Sequence, residues 1–417
     1  MSTSRGRVVV VGGGIIGTAC THYLAERGWE VTIVERGEFG MGCSHANCGF
    51  ICPSHTLPLT APGAITQALK SIFQRNSPFK IRLRFDPALW LWLLRFAGRC
   101  TKHHMMEAAR ARQALLVASM DLYEELIEKE SLNCEWEKEG ILFVIKTSEG
   151  MKELDEKVEI LKETFDLKAK RYDGRELEEL EPALKPGLAG AWHYLSDAQL
   201  RPDRLLSSWR KALEERGVTV LEQCEVQGLR TVNGKALALE TSKGEMPADA
   251  FVFATGAFTP LLQKHLGCNI PIQPGKGYSI TMPRPSTCPK IPLLFEEHSV
   301  AVTPMKTGYR LGSTMEFAGY DSTMNKKRLD LLRNGASVYL HEPYCEPVEE
   351  EWFGWRPMTF DGKPIIDRCP IMENVLIAAG HNMLGMSMAP STGKLVAEMI
   401  NGEKPHIDPS PYSVGRF

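Results

Sequence analysis

Three glycines, Gly12, Gly14 and Gly17, stand in a G-x-G-x-x-G spacing directly after a run of four valines. That spacing suits a pyrophosphate. Gly12 permits a tight turn, Gly14 lets a phosphate approach the backbone, and Gly17 lets a helix pack close to a strand. The amides of the first helical turn, from Ile15 and Ile16 onward, then face the anion, and the helix dipole favours its charge. Glu35 ends the next apolar run, where a carboxylate accepts both hydroxyls of an adenosine ribose. An acid there disfavours a 2′-phosphate, and so disfavours NADP. The fingerprint does not separate FAD from NAD, because both carry an ADP half. Further along, "GMGCSHANCGF" offers Ser44 and Asn47 as donors to a diphosphate or a polyol. Cys43, Cys48 and Cys52, with His45 and His55, raise a metal reading, but their spacing matches no zinc or cluster pattern and no metal is expected. Arg356, in "GWRPMTFDG", carries a guanidinium fork that matches a carboxylate in bidentate fashion. Its bland alternative is an ion pair with Asp361 or Asp367.

The elements that position these residues follow from periodicity. "RVVVVG" reads as a buried parallel strand, Ile15–Arg27 as a helix stopped by Gly28, and "EVTIVE" as a second strand. This β-α-β unit predicts a parallel sheet. Pro62 to Glu130 reads as mostly helical, with Trp90, Trp92 and Phe96 on apolar faces. "GILFVIKT" reads as a strand, and Met151–Phe165 and Arg201–Gly217 as amphipathic helices. Between Ile270 and Tyr344, "YSITM", "HSVAVTP" and "YRLGSTMEF" read as an antiparallel sheet. "VLIAAGHNMLG" and "STGKLVAEMI" return to a strand–glycine–helix pattern. The fold class is therefore α/β plus α+β: a Rossmann-type domain assembled from discontinuous segments, with a second domain on an antiparallel sheet with helices. The boundaries are 1–60, 155–269 and 346–417 for the nucleotide domain, and 61–154 and 270–345 for the substrate domain.

A chain of 417 residues is long for a single core and suggests two domains. With 43% hydrophobic and 24% charged residues it reads as an ordinary globular protein, and a formal net charge of −2 argues against nucleic-acid binding. Eleven cysteines with no disulfide-like spacing fit reduced thiols and a cytoplasmic location. No secretory leader or membrane-spanning run is read. "PALWLWLLRF" reads as a buried amphipathic helix, with a peripheral membrane contact flanked by Arg95 and Arg99 as the alternative. Oligomeric state is not assigned.

The stretches "VVVVGGGIIGTACTHYLAERGWEVTIVER", "GCSHANCGF", "PLTAPGA", "ATGAFTP", "GWRPMTFDGKPIID" and "AAGHNMLGMSMAPSTGKLVAEMI" together resemble the FAD-dependent D-amino-acid dehydrogenases, within the D-amino-acid oxidase, glycine oxidase and sarcosine oxidase superfamily. The resemblance implies FAD as cofactor. Gly12, Gly14, Gly17 and Glu35 would hold its ADP half. Arg36, Ser44, Asn47 and Gly49 would line the diphosphate and ribityl region, and Val226 would meet the adenine through its backbone. Thr255 and Gly256 would end a strand against the cofactor. Gly380, His381, Leu384 and Gly385 would begin a helix whose N-terminus faces the flavin ring, where donors stabilise charge at the N1–O2 edge. For His381 a plain capping role stands beside that one. Relatives place an arginine at the position of Arg356 on the substrate carboxylate. Met383 stands near where glycine oxidases carry a second arginine. Gly354 stands where sarcosine oxidases attach flavin through cysteine, so non-covalent FAD is expected.

The resemblance further implies oxidative deamination. A D-amino acid would pass hydride from Cα to flavin N5, and the imino acid would hydrolyse to a 2-oxo acid and ammonia. Electrons would go to a quinone or a carrier protein. The amine lone pair drives the transfer, so no strong base is required. Tyr278 and Tyr309 are candidates to close the pocket through their hydroxyls, with core packing as the alternative, and His298 and Glu316 are weaker candidates. A D-proline, D-hydroxyproline or N-methylglycine substrate, and a non-enzymatic FAD-bearing electron-relay subunit, remain alternatives.

Overall fold

The computed structural model describes residues 5–66, 77–82 and 84–417. Two large sheets organise it. The first is six-stranded, in the order Ile365–Cys369, Met372–Ala379, Ala250–Phe253, Arg7–Val11, Glu30–Val34 and Thr219–Leu221. All neighbours are parallel except the antiparallel pair Ile365–Cys369 and Met372–Ala379. Its strands come from three separated parts of the chain, as a discontinuous Rossmann-type sheet requires. The valines Val8–Val11 are buried because both faces of the sheet are covered: Val8 and Val10 pack with the helices, and Val9 and Val11 with the three-stranded antiparallel sheet of Val226–Val232, Lys235–Thr241 and Gly244–Pro247.

The helix Ile15–Glu26 follows the first strand and packs on the last long helix, Gly385–Asn401. A Cβ at Gly393 would lie 2.4 Å from the backbone of Ala19, so the two helices cross with main chain against main chain. The long helix Lys102–Lys129 lies against the same C-terminal helix.

The second sheet is nine-stranded. Its path runs Glu350–Thr359, Ile272–Met282, Tyr309–Phe317, Val300–Thr303, Leu293–Phe295, Ile141–Ile145, Gly190–Tyr194 and Lys170–Asp173, with Phe79–Ile81 pairing beside Tyr309–Phe317. It is largely antiparallel, with two parallel pairings. Two stretches expected in the nucleotide domain join this sheet instead. Lys170–Asp173 and Gly190–Tyr194 continue it from Ile141–Ile145, and Glu350–Thr359 pairs with Ile272–Met282 over ten residue pairs. An open strand edge recruits whichever chain segment lies beside it, and linear order carries no mark of that choice.

The expected helical region contains Pro87–Arg99 and Lys102–Lys129; residues 67–76 and 83 lie outside the described residues. Asp86 caps the first of these helices through Leu89 N, and Thr101 caps the second through His104 N. Trp92 is buried and stacks on Phe96, but Trp90, Leu91 and Leu94 are exposed. The expectation of a buried helix therefore holds for one of its faces.

Candidate active site

Four parallel strands of the six-stranded sheet end on one edge. Just after them stand Gly12, Glu35, Thr255 and Gly380. Ligands of open α/β sheets bind outside the carboxyl ends of the strands. Gly12 has φ +110°, and a Cβ on it would lie 2.6 Å from the Ala254 carbonyl oxygen. A Cβ on Gly17 would lie 1.8 Å from the Gly12 oxygen, so no side chain fits there. Gly14 is the N-cap of the helix. It provides no side-chain cap, and no acid stands in the first turn, so this positive helix end stays open to an anion.

Around this turn, the Glu35 carboxylate accepts from Gly13 N at 2.8 Å and Gly37 N at 2.9 Å. Cys224 N donates to the Glu35 carbonyl, which brings the strand beginning at Val226 alongside. Ser44 Oγ accepts from Ile15 N at 3.0 Å, leaving its own proton to donate, and Ile16 follows half-buried in the same turn. Asn47 is turned to a different use. Its amide bonds Ser44 O and Gly49 N, closing the loop rather than reaching outward. Gly49 has φ +69°, and a Cβ would meet the Leu200 oxygen at 1.9 Å. The exposed Arg36 guanidinium lies 3.6 Å over the ring of Phe258, beyond Thr255 and Gly256. Thr255 Oγ1 bonds Thr259 Oγ1, and Gly256 has φ +54°.

The second open helix end is that of Gly385–Asn401. Leu384 is its N-cap, without a side-chain cap or a first-turn acid. His381 is buried beneath it, with Nε2 3.0 Å from Thr392 Oγ1. Burial lowers the ring to about 3, so His381 is neutral and braces the start of the helix. The unfolded ring protonates below its ordinary value near 6.5 while the folded one does not. Stability is therefore lost as pH falls from about 6.5 toward about 3. In His381→Gln the acid-side slope of chemical-denaturation stability should flatten by roughly 1.4 kcal/mol per pH unit. An unchanged slope would mean that the ring is not held neutral.

Arg356 lies on the nine-stranded sheet. Its Nη1 donates to Thr314 O at 3.0 Å and its Nη2 to Ser313 O at 3.2 Å. Ser313 has φ +121°, beside an irregularity in the register between Gly277 and Ser279. The bulge turns these carbonyls onto the guanidinium. Neither expected acidic partner is there: Asp361 pairs with Arg416 at 2.7 Å, and Asp367 accepts from Ser413 Oγ and Val414 N. Among the described residues, no carboxylate pairs with Arg356. Burial pulls the guanidinium below its ordinary value, with the thiols of Cys43 and Cys48 nearby. Burial also raises both thiols, Cys43 to about 11, so neither is ionised at neutral pH.

A Cβ on Gly277 would lie 2.4 Å from the Arg356 Cζ. The guanidinium is thus laid across a glycine. Gly277→Ala should displace the fork and lower the rate of substrate-driven flavin reduction by about 10²-fold, with flavin content retained. Stopped-flow reduction of the purified holoprotein checks this, and a rate equal to wild type would remove the glycine from the site.

Tyr278 and Tyr309 are corrected by the structure. Side chains alternate along a strand, and both rings point away from Gly277 and Arg356 into the core formed with Leu329, Leu332 and Tyr339. Tyr278 donates to Glu316 Oε2 at 3.0 Å, and His298 Nδ1 lies 2.9 Å from Tyr339 Oη. The residues that brace Arg356 instead are Gly277, Ser313 and Thr314. The paired glycines of "GKG" inside a strand pattern are a readable sign of close approach. The turned Ser313 has no sign in the sequence.

His45 Nε2 sits 2.8 Å from Glu350 Oε1, and Cys52 Sγ sits near Ser387 Oγ. All eleven cysteines are free thiols. Among the described residues, one grouping has metal-compatible spacing, His22, Glu26 and Glu130, and Lys129 and Arg216 occupy its carboxylates.

The profile of the family described as FAD dependent oxidoreductase matches residues 7–399. The chain belongs to this family. As an FAD-dependent oxidoreductase it is similar along its whole length to curated proteins. It is 30% identical over 417 residues to a D-amino acid dehydrogenase of Granulibacter bethesdensis, covering 99% of each chain. It is 32% identical over 426 residues to a D-amino acid dehydrogenase of Methylobacterium nodulans, again covering 99% of each. Its fold matches that of a glycine oxidase from Geobacillus kaustophilus, with TM-score 0.78, 24% identity and all of both chains covered.

The residues present in this oxidoreductase fit the cofactor. Glu35 is held by two amides with lone pairs to spare for a ribose, and the helices Ile15–Glu26 and Gly385–Asn401 both begin with no side-chain cap from the N-cap residue and no first-turn acid, which suits the negative groups of a flavin dinucleotide. Gly354 lies against Cys43, since a Cβ on it would be 3.1 Å from the Cys43 Cα.

Proposed function

We propose that this oxidoreductase oxidises a D-amino acid to its imino acid, which water converts to a 2-oxo acid and ammonia. The observation that carries the reading is Arg356: a guanidinium braced by two backbone carbonyls, with no carboxylate of the chain upon it. Two carbonyl acceptors orient the fork without neutralising it, so its full charge is left for a substrate carboxylate. The names of the curated relatives support the same substrate class.

In this reading the six-stranded sheet holds the ADP half and the nine-stranded sheet offers Arg356 to the substrate. Bound FAD, held without a covalent bond, supplies the two-electron acceptor. Arg356 fixes the carboxylate and thereby the position of Cα. The Cys43 and Cys48 thiols stay protonated, and buried His381 stays neutral, so none of them serves as a strong base. A substrate whose amine arrives neutral needs none. The open end of Gly385–Asn401 favours negative charge gathering before it.

The test is anaerobic bleaching of the flavin absorbance by single D- and L-amino acids, with D-proline and N-methylglycine included. Reduction by D-isomers supports the reading. Reduction by L-isomers alone, or by nothing in the panel, overturns it.

For the electron acceptor we infer a quinone or a carrier reached at a membrane surface. Among the described residues no helix is long and apolar enough to cross a membrane. The helix Pro87–Arg99 nevertheless exposes Trp90, Leu91 and Leu94, the last at 71%, beside exposed Arg95. Apolar side chains with a flanking cation suit the interface of an anionic bilayer. Leu91→Ser with Leu94→Ser should lower co-sedimentation with anionic vesicles by about tenfold, from the loss of two buried side chains. Equal sedimentation of variant and wild type would sink the contact.

A further inference from the structure

The strand Glu350–Thr359, which carries Arg356, stands at the end of the nine-stranded order and pairs with Ile272–Met282 along one edge only. Its other edge has no partner strand among the described residues. One residue meets that edge instead. Asn382 N donates to Pro357 O at 3.1 Å, and Asn382 Oδ1 accepts from Thr359 N at 3.1 Å. The backbone and side chain of a single asparagine thus do for this edge what a neighbouring strand would do.

The rest of the amide is spent just as closely. Asn382 Nδ2 donates to Thr359 Oγ1 at 3.1 Å and to Gly380 O at 3.0 Å, and Thr359 Oγ1 donates onward to Lys363 O at 2.9 Å. These partners fix which way the amide points, because Thr359 N only donates and Gly380 O only accepts. Asn382 has φ +54°, a left-handed conformation that asparagine adopts more readily than most side chains. A Cβ on Gly380 would lie 2.7 Å from Thr359 Cγ2, so loop and strand also touch directly.

The bonds join two parts of the molecule with different tasks. Pro357 and Thr359 follow Arg356 on the strand that offers the guanidinium. Gly380 follows the strand Met372–Ala379 of the six-stranded sheet and leads into Gly385–Asn401, the helix with the open end. Asn382 carries no charge, and both protons of its side-chain amide are used within the protein. Its side chain therefore has no donor to offer a substrate. What it fixes is the spacing between the Arg356 strand and the helix end.

We propose that Asn382 is a positioning residue, which holds the Arg356 strand against the flavin-side loop and so sets how closely a carboxylate-bound substrate approaches the flavin. The role rests on the amino-acid reading above. Transfer from Cα is steep in distance, and a misplacement of about 1 Å costs about 10²-fold in rate. Affinity for the carboxylate depends on the fork itself, which Ser313 and Thr314 brace without help from Asn382.

The test is Asn382→Gly in the holoprotein. Glycine tolerates the left-handed backbone, so the amide bond to Pro357 O survives and only the side-chain bonds go. The limiting rate of anaerobic flavin reduction at saturating D-amino acid should fall by about tenfold to 10²-fold. Flavin content and affinity for 2-aminobenzoate, an aromatic carboxylate that is not oxidised, should stay near wild type. The same probe reads distance without turnover: its electron-rich ring against the oxidised flavin gives a long-wavelength charge-transfer band, which should be largely lost in the saturated variant. Thr359→Val removes one hydroxyl from the clamp and should lower rate and band by smaller factors, while Thr359→Ser, which keeps the hydroxyl, restores them; this pair serves if Asn382→Gly does not fold. An unchanged limiting rate, an unchanged band, or a loss carried wholly by flavin content or carboxylate affinity overturns the proposal. Absence of the band in wild type would place the carboxylate site away from the flavin and overturn it as well. Failure of every amino acid to reduce the flavin would defeat the functional reading alone, since a band present in wild type and lost in Asn382→Gly would still uphold the positioning role.

Discussion

Arg356→Ala lowers kcat/KM for flavin reduction by a D-amino acid by about 10²- to 10³-fold, while flavin content and melting temperature stay near wild type. The size follows from removing one partner of a desolvated, hydrogen-bonded charge pair, which costs about 2–5 kcal/mol. The flavin is spared because Arg356 belongs to the nine-stranded sheet and not to the strand edge that carries Gly12 and Glu35. Arg356→Lys should recover only part of the loss, since an ammonium cannot both donate to the Ser313 and Thr314 carbonyls and present a planar fork. Rapid-reaction reduction under anaerobic conditions measures it. A variant with wild-type kinetics would show that the substrate carboxylate rests elsewhere.

Gly17→Ala is the second large effect, and it falls on the cofactor. The added methyl would stand 1.8 Å from the Gly12 oxygen, so the helix Ile15–Glu26 must move away from the strand Arg7–Val11. Such overpacking costs about 3 kcal/mol or more, because the clash is with main chain and no rotamer relieves it. The purified protein should be colourless and less stable. Gly14→Ala provides the contrast. Its methyl would meet only Ser44 Oγ, at 3.4 Å, so the chain should fold normally. It should still bind FAD more weakly, because the methyl intrudes where the phosphates approach. Absorbance near the flavin bands and thermal denaturation separate the two. Full flavin occupancy in Gly17→Ala would mean that the turn is not the cradle.

Much of the cofactor edge was legible in the chain because its determinants are local. A valine run, a glycine spacing and an acid at the end of the next strand lie within 35 residues, and each answers to a steric or electrostatic demand that operates over a few bonds. Gly12, Gly14, Gly17 and Glu35 stand together in the fold for that reason. The helix end at Leu384 and Gly385 is local in the same sense, and the resemblance to flavoproteins pointed to it.

The substrate side was legible only in part. Arg356 stood out by its residue type, but the choice between a substrate fork and an ion pair with Asp361 or Asp367 was open until Arg416, Ser413 and Val414 were seen to take those acids. Tyr278 and Tyr309 had suitable hydroxyls in a suitable sheet, and strand alternation turned both into the core. In an element of period two, a bulge such as the one beside Ser313 resets which residues face which side, and it leaves no trace in hydrophobic pattern. Sheet membership was equally hidden: Gly190–Tyr194 and Glu350–Thr359 read as strands, but not as strands of one sheet.

By itself, then, the sequence determined the dinucleotide turn, the alternation of strand and helix that builds a parallel sheet, and the kinds of side chain available for catalysis. Tertiary structure alone decided which acids were already spent and which face each tyrosine took. The physical reason is range. Turns, caps and helix faces are set by neighbours a few residues away, whereas an unpaired charge is a property of everything that folds around it, and no short stretch of chain encodes that.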